Sequence, residues 1–550
     1  MKAPRLEPIP YGALRRLPPL FADVMAGRSV PGDLLPPLPR EPAALRPHLE
    51  ILLRRVLPRS DVAAVLEAQN SALGADPAAL AGIAALRKPG SVAILTGQQV
   101  GLFGGPLYTW YKALTAVAVA RQWGNTLGVP CVPCFWLASE DDDFAEVDHA
   151  LLLGRRGGPV RVQYQPEGGF AGTLPATCRL TAAIGPVLAA AAEVLAAEPA
   201  GAEVAALLTA CYAPGGTLAG GFSCLLARLL SPLGLVLVDP ADPALKRLAA
   251  PVLARELETT PSASRAILAH TQALAAAGYP PQARAFEDGV NLFLLEEGRR
   301  LPLVVRGEEL VVRGTDRTFP RRRLAALLAE APERFSPNVF LRPLLQDSLL
   351  PTLAEVAGPA ETAYLTQLRP AYALFDLPVT PLLPRASLTL IPRWAARLLM
   401  RHGLAPLDLQ EERGALVTRA LRRRLPPGTE DRLTALRAEI ADAFGRLRGV
   451  AEAVDATLTP VVGSAEGYVR KQLEAVERKL LQAVKRRHQE VEEQIARLQD
   501  GLVPGGVLQE RALSLPSFLA QEGWEFLPHL AAALPGPGFS HHLCWLDGDE

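Results

Sequence analysis

The rhythm of apolar and polar positions changes three times along this chain. Residues 1–88 carry proline-punctuated segments with helical spacing, "ALRPHLEILLRRVL" and "SDVAAVLEAQNSAL". The period then shortens. "SVAILT" (91–96), ending on Gly97, and "VPCVPCFWLA" (129–138) read as strands buried on both faces. Between them Pro106 suits the first position of a helix running to about Trp123, since proline presets φ and lacks a donor. Strand, loop, helix, strand is the opening of an α/β fold with a parallel sheet. Residues 151–230, with "RVQYQ" and alanine-rich helices, read as an insertion. "GLVLVDP" (234–240) is a further strand, followed by helix to about Ala277. "VNLFLLEEGRRLPLVVRGEELVVRG" predicts a small antiparallel meander near 288–315, after which mixed α/β pattern returns as far as 390.

The third rhythm is that of a coiled coil. Apolar residues fall at Leu433, Leu436, Ile440, Phe444, Leu447, Val450, Val454 and Leu458. A second series runs through Val469, Leu473, Val476, Leu480, Ala483, Val491, Ile495 and Leu498. Threes and fours alternating over several heptads predict a C-terminal antiparallel α-helical hairpin at about 430–500, broken at "TPVVGSAEG". Each arm would reach roughly 40–45 Å at the α-helical rise. Arg487 and His488 interrupt the second seam. The expected parts are an N-terminal helical segment (1–88), the first half of the core (89–150), the insertion (151–230), the rest of the core (231–390), a helical region (391–500) and a segment returning to the core (501–550).

Composition narrows the function classes. A chain of 550 residues needs more than one structural unit. Its 57 Lys and Arg balance 57 Asp and Glu, so bulk charge favours neither nucleic acid nor an anionic membrane as partner. The N-terminus lacks a signal-peptide core, and the longest apolar stretch is broken by Gly185-Pro186 and Glu193. Six irregularly spaced cysteines make no disulfide framework. The expectation is a cytoplasmic, reduced protein. Cys131 and Cys134, inside an apolar strand, read as buried thiols. His541 and His542 read as surface positions, and His270 and His529 as packing positions.

Candidate chemistry gathers after the first two strands. "LTGQQVGLFGGPLYTWYK" places Gly97, Gly101, Gly104 and Gly105 in a turn that opens a helix, a common way to present backbone N–H groups to an anion. Pro106-Leu107 excludes a standard phosphate loop. Leu107, Tyr111, Leu114 and Ala118 form the apolar stripe, while Tyr108 and Lys112 share another face, from which Lys112 leans back toward the loop beside Gln98 and Gln99. The alternative is a plain tight turn with Lys112 in water. "SEDDDFAEVDH" starts where the second strand ends, the edge where ligands sit in open α/β sheets. Ser139, Glu140, Asp141, Asp143 and His149, with Trp136 from the strand, become candidates for amine recognition or Mg²⁺ coordination. The alternative there is a solvated loop with helix-capping acids.

These segments, with "GLVLVDPADPALKRLAAPVL", "FSPNVFLRPLLQDSLLPTLAEVAGPAETAYLTQLRPAYALF", "PLLPRASLTLI" and "ERKLLQAVKRRHQEVEEQIARLQDGLVPGGVLQER", resemble the bacillithiol-synthesis cysteine-adding ligases, the BshC family. The resemblance implies a Rossmann-type core with connecting insertions and a dimerising coiled coil. It also implies that cysteine is joined through an amide to the amine of glucosaminyl-malate. One departure is Asp142, which stands where the family's E-D-H-D-F motif has histidine.

Amide formation from a free carboxylate needs activation, for which ATP or another nucleotide is the expected source. Lys112 and the glycine-loop N–H groups would then stabilise phosphate charge. Glu140, Asp141 or Asp143 would orient the amine and accept its proton, or hold Mg²⁺. Asn338, Arg342, Gln346, Asp347, Glu361, Tyr364 and Gln367 are expected to bind the sugar–malate, with Arg342 facing a malate carboxylate or else held in a buried ion pair. Arg385, Ala386 and Ser387 are candidates for nucleotide. Two competing readings are an adenylyl transferase acting on another acid and amine, and a coiled-coil dimer with a non-catalytic pocket.

Overall fold

Five short apolar runs become the parallel sheet of the first structural unit in the computed structural model, which describes residues 4–15, 17–154, 158–170 and 173–546. They are β1 (Val92–Gln99), β2 (Cys131–Ala138), β3 (Val236–Val238), β4 (Thr352–Ala357) and β5 (Leu382–Pro384). Their order in space is β5-β4-β1-β2-β3, every neighbouring pair parallel. The chain therefore reverses its winding between β1 and β4, the crevice where doubly wound folds bind ligands.

Four helices matter for the site: α1 (Leu107–Leu127), α2 (Pro243–Thr259), α3 (Leu341–Leu349) and α4 (Pro359–Leu368). Alternation along β1 sorts them by face. Val92 and Ile94 pack with Ala116 and Val119 of α1. Ala93 and Leu95 belong to the core that holds Leu365 and Leu368 of α4. The helix expected to reach Ala277 is two, since α2 stops before Pro261 and a second helix spans Ser262–Ala276. The meander is larger than its pattern suggested. To Gly289–Glu296, Arg299–Arg306 and Glu309–Val312 it adds Thr318–Pro320 and Phe335–Pro337, all antiparallel to their neighbours.

Two expectations about the ends of the chain are corrected. Residues 1–88 are not purely helical, because Arg5–Ile9 pairs antiparallel with His541–Trp545. His541 and His542 consequently lie in a buried strand rather than at the surface. The His541 ring sits between the Ser387 and Thr389 hydroxyls, and burial lowers its pKa to about 4, so it is neutral at pH 7. The expectation of a fully reduced chain is corrected too, since Cys211 and Cys224 are joined by a disulfide.

The first unit comprises the chain up to Leu390 together with the segment from Gln509 onward; the second is Ile391–Leu508. In the second, α5 (Thr429–Val454) and α6 (Thr459–Arg487) form the hairpin, and α7 (Glu490–Leu502) follows. The arms, 26 and 29 residues long, measure about 39 and 44 Å at 1.5 Å per residue. The turn precedes "TPVVGSAEG". The Asp455 carboxylate accepts from Thr457 N–H, and Pro460 sits in the first turn of α6, where its missing donor costs nothing. His488 caps α6, so the interruption in the second seam is a true helix end. Ile440, Phe444, Val469 and Leu473 are half-buried, whereas Val450, Val454 and Val476 are 60%, 74% and 52% exposed. Among the described residues, no helix is long and apolar enough to cross a membrane.

Candidate active site

A cavity of about 750 Å³ opens at the carboxyl edge of the sheet, at the reversal between β1 and β4. Gly97, Gln98 and Gln99 line it from the end of β1, and Glu140 and Asp141 from the turn after β2. Gly358, Glu361 and Tyr364 enter from the start of α4, and Arg385 from just beyond β5. Asn291, Phe293 and Arg300 of the meander close the opposite wall. The register Gln99↔Ala138 brings the first two turns level, and Gln99 Nε2 donates to Asp141 Oδ2 at 2.9 Å. The glutamine turn and the acidic turn thus converge.

Lys112 is 1% exposed and lies under the floor of this cavity. Its Nζ donates to Gly97 O, to Gln98 Oε1 at 3.1 Å and to Glu361 Oε1 at 2.6 Å. Burial pushes its pKa down, and Glu361 opposes that shift. Glu361 Oε2 also accepts from Gly358 N–H at 2.8 Å, capping α4. One ion pair therefore ties the two helices that begin at the crevice.

The glycine turn differs from expectation. The N–H groups of Gly101, Gly104 and Gly105 donate to Gln99 O, Gly101 O and Leu102 O, so they are spent within the turn. Gly104 has φ +87°, and an added Cβ would stand 2.3 Å from Trp110 Cζ2. The glycines let the turn close upon Trp110; they do not form an anion cradle.

The clustered acids divide by role. Lys246 of α2, 2% exposed, donates to Glu140 Oε2 at 2.6 Å and to Phe335 O at 2.7 Å, while Ser336 Oγ donates to the same carboxylate. Glu140 thereby fastens the acidic turn to the meander. Ser139 Oγ donates to Asp239 Oδ1 at 2.5 Å, and burial raises the Asp239 pKa. Asp143 is exposed, and His149 contacts Asp148 at 2.9 Å. Trp136 and Tyr108 line the cavity, with Gln98 Nε2 3.4 Å from the Tyr108 hydroxyl.

Arg342 also lines the cavity, but its guanidinium is engaged by Glu355 Oε1 at 2.8 Å, Gln346 Oε1 at 2.9 Å and the Tyr364 hydroxyl. Burial works against its charge, and Glu355 and Tyr364 more than offset it, so its pKa is raised. Gln346 bridges Asp347 and Glu355. Asp347 accepts from Tyr372 and Thr380 in the interior. Gln367 faces neither cavity nor solvent. Its amide receives Gln282 N–H and Ala283 N–H and donates to Ala283 O and Thr271 Oγ1. Asn338 donates to Asn291 Oδ1 and caps the start of α3 through Phe340 and Leu341 N–H. Arg385 is held by Glu510 Oε1 at 2.7 Å, whereas Ala386 and Ser387 are bound behind it by Thr115 and by Glu510 and His541.

Sequence reasoning missed Lys246, Arg300, Asn291 and Glu510, each of which meets the site from a distant segment. "DPALKR" carries a strand-end signal near Lys246, yet its partner Glu140 lies 106 residues away. Glu256 was missed as well. It is wholly buried, and its Oε1 accepts both the backbone and side-chain N–H groups of Asn291.

Two outcomes follow for stability. Removing one member of a buried ion pair costs about 3–5 kcal/mol, and Glu361 is a quarter exposed, so Lys112→Met should lower stability by about 3 kcal/mol. A double-mutant cycle with Glu361→Gln, followed by denaturant melts, should return a coupling well above zero; additive losses would dissolve the pair. Burial raises the Glu256 pKa to about 7, above its unfolded value near 4.3, so the folded chain keeps a proton that the unfolded chain releases. That contribution is complete below the unfolded pKa and is lost as pH rises through about 7, for a total on the order of 3 kcal/mol. The melting temperature from this group should therefore fall between pH 5 and 7.5, and Glu256→Gln should flatten that slope.

Comparison with known proteins agrees with this architecture. Residues 39–386 match the family model described as "Bacillithiol biosynthesis BshC, N-terminal Rossmann-like domain", and residues 388–546 the one described as "Bacillithiol biosynthesis BshC, C-terminal coiled-coil domain". The chain is 33% identical over 539 residues to "Putative cysteine ligase BshC" of Salinibacter ruber, covering 97% of each. To the proteins of the same name from Solibacter usitatus and Koribacter versatilis it is 36% and 35% identical, over 80% and 86% of this chain and 81% and 88% of theirs. A parallel sheet wound as described, a helical hairpin after it, and similarity along nearly the whole length lead to one conclusion: this chain belongs to the BshC family.

Proposed function

We propose that this protein, a ligase of bacillithiol biosynthesis, joins L-cysteine through an amide bond to the amine of glucosaminyl-malate. The observation that carries the reading is the junction of Gln99 and Asp141, at the ends of β1 and β2, in the wall of a cavity that Gly358 and Glu361 of the α4 entrance also line. Lys246 engages Glu140 and Asp143 faces solvent, which leaves Asp141 as the acid for the amine. Gln99 holds one Asp141 oxygen, Arg300 stands 3.8 Å from the other, and the Asp141 side chain retains 38% exposure. Asp141 would orient the incoming amine and take its proton as the carbon–nitrogen bond forms and the bond from the cysteine acyl carbon to its activating phosphate or nucleotidyl oxygen breaks, that group leaving as the anion. Bringing both substrates into one enclosed space supplies much of the remaining rate.

ATP or another nucleotide would supply the activation of the cysteine carboxylate. Six arginines against four carboxylates in the cavity wall suit such an anionic co-substrate, and Arg385, fixed by Glu510 within 5.7 Å of the Tyr108 ring centroid, is assigned to its phosphates. Among the described residues, no group of three His, Cys, Asp or Glu side chains gathers for a metal. Lys112 acts from beneath by positioning Gly97, Gln98 and Glu361.

The test is incubation with glucosaminyl-malate, cysteine and ATP, or another nucleotide, followed by mass spectrometry of the thiol product. A product with the mass of the cysteine amide, lost in Asp141→Asn, is expected. Acid-dependent pyrophosphate exchange without that product would point to an adenylyl transferase with other substrates. We further infer that the exposed apolar residues of the hairpin pair with a second copy, since Val450, Val454 and Val476 lack cover within the hairpin. Val476→Glu with Leu480→Glu should convert a dimer to monomers in sedimentation, and an unaltered mass would contradict the pairing.

A further inference from the structure

The cavity wall is not uniform in charge. Of its six arginines, Arg342 is paired with Glu355, Arg385 with Glu510, and Arg300 with Asp142 at 3.2 Å and Asp141 at 3.8 Å, while Arg511 is exposed and lies 5.9 Å from the Tyr108 ring centroid. Arg284 and Arg313 form a pair of their own on the meander side. Both are exposed, and both stack on one ring, Phe286, at 4.8 and 3.8 Å from its centroid. Among the described residues, neither guanidinium has a carboxylate within ion-pair distance, and the neighbouring Glu287 lies 4.0 Å from Arg265 instead. Two like charges held against one ring repel each other and are relieved by an anion between or beside them. Close by in the same wall, the Nε of Arg300 is buried without an acceptor, and Arg300 itself stacks on Phe293 at 4.0 Å.

The sheet-edge side of the wall carries the cavity's four carboxylates, together with Arg342, Arg385 and Arg511. Glu140, Asp141, Glu146 and Glu361 all belong to the sheet edge and the helices and turns that start there. The two sides are mechanically linked through α4. Its first turn carries Glu361, tied to Lys112, and its last turn carries Gln367, whose amide makes three bonds to the backbone of residues 282–283, immediately before Arg284. Arg313 is fixed by its N–H to Pro302 O at 2.8 Å.

We infer that Arg284 and Arg313, stacked on Phe286, form an anion subsite that receives the dicarboxylate end of the amine substrate and so sets its direction, acid toward the meander and amine toward Asp141. This deepens the proposed function and rests on it for the identity of the ligand. The planar guanidinium forks match carboxylate geometry, and the ring limits their freedom before binding. Arg342, already satisfied by Glu355, is thereby relieved of the malate role. Gln367 is a positioning residue that acts through the 282–284 backbone.

Carboxylate and phosphate share this chemistry, so the test separates them. Calorimetry on the full chain would use malate alone and inorganic pyrophosphate alone. Malate should bind the wild type, and Arg284→Ala and Arg313→Ala should each weaken it about tenfold, with Arg→Lys restoring part of the loss and pyrophosphate affinity unchanged. In turnover, the same variants should raise KM for glucosaminyl-malate about tenfold with little change in kcat or in KM for cysteine. An amine acceptor lacking the malate should not distinguish variants from wild type. Gln367→Ala should show the same acceptor-selective rise in KM; a fall in kcat equal for both acceptors would make Gln367 a packing residue only. A wild type that does not bind malate, variants that bind it undiminished, or a loss confined to pyrophosphate would each overturn the subsite. Absence of product together with the expected malate results would sink the proposed reaction and leave the subsite standing.

Discussion

A lysine with 1% exposure, bonded to a carboxylate from another helix, bridges the crevice at which the sheet reverses its winding. The Lys112–Glu361 pair joins α1 to α4, whose cores lie against alternate faces of β1. A charge this deep survives only with partners, and Lys112 has three. The pair therefore does two things at once. It closes the floor of the cavity, and it presents Gln98 and the α4 entrance at fixed positions in its wall. Glu140 and Lys246 repeat the device one strand further along, where they fasten the acidic turn to the meander.

The parallel strands and the hairpin were legible because their signals are local. Val92 to Leu95 and Val132 to Leu137 are continuous apolar runs with turn residues after them, and the seams of α5 and α6 repeat at heptad spacing. Gln99, Asp141 and Glu361 were legible as positions that line the crevice for a related reason, since strand ends and helix starts carry glycine, proline and acids. What could not be read was which charges neutralise one another. Glu140 looked like a free acid because Lys246 sits 106 residues away, and Arg342 looked like a partner for malate, with a carboxylate of the protein as the lesser alternative that Glu355 turns out to fill. The glycine turn misled for another reason: φ +87° at Gly104 serves Trp110 packing, and side-chain volume does not show in a motif of glycines.

The segments that complete the site come from remote parts of the chain. Glu510 and His541, near the C-terminus, hold the backbone and side chains around Arg385. Gln367 grips the loop before Arg284, and Glu256 grips Asn291 from behind the meander wall. Each contact is a buried polar bond whose loss leaves a partner unsatisfied, so the wall is rigid wherever these anchors lie. Against that rigid frame, Asp141, Glu146, Arg511 and the Phe286 arginines are cavity-wall charges that keep partial or full exposure.

The most direct examination of this account is diffraction from crystals soaked with glucosaminyl-malate and cysteine. The expected density lies in the β1–β4 crevice, with the sugar amine within hydrogen-bond reach of Asp141 and the cysteine beside Gly358. Both molecules lodged elsewhere, with the crevice vacant at saturating concentration, would contradict the claim that this junction is where the amide is made.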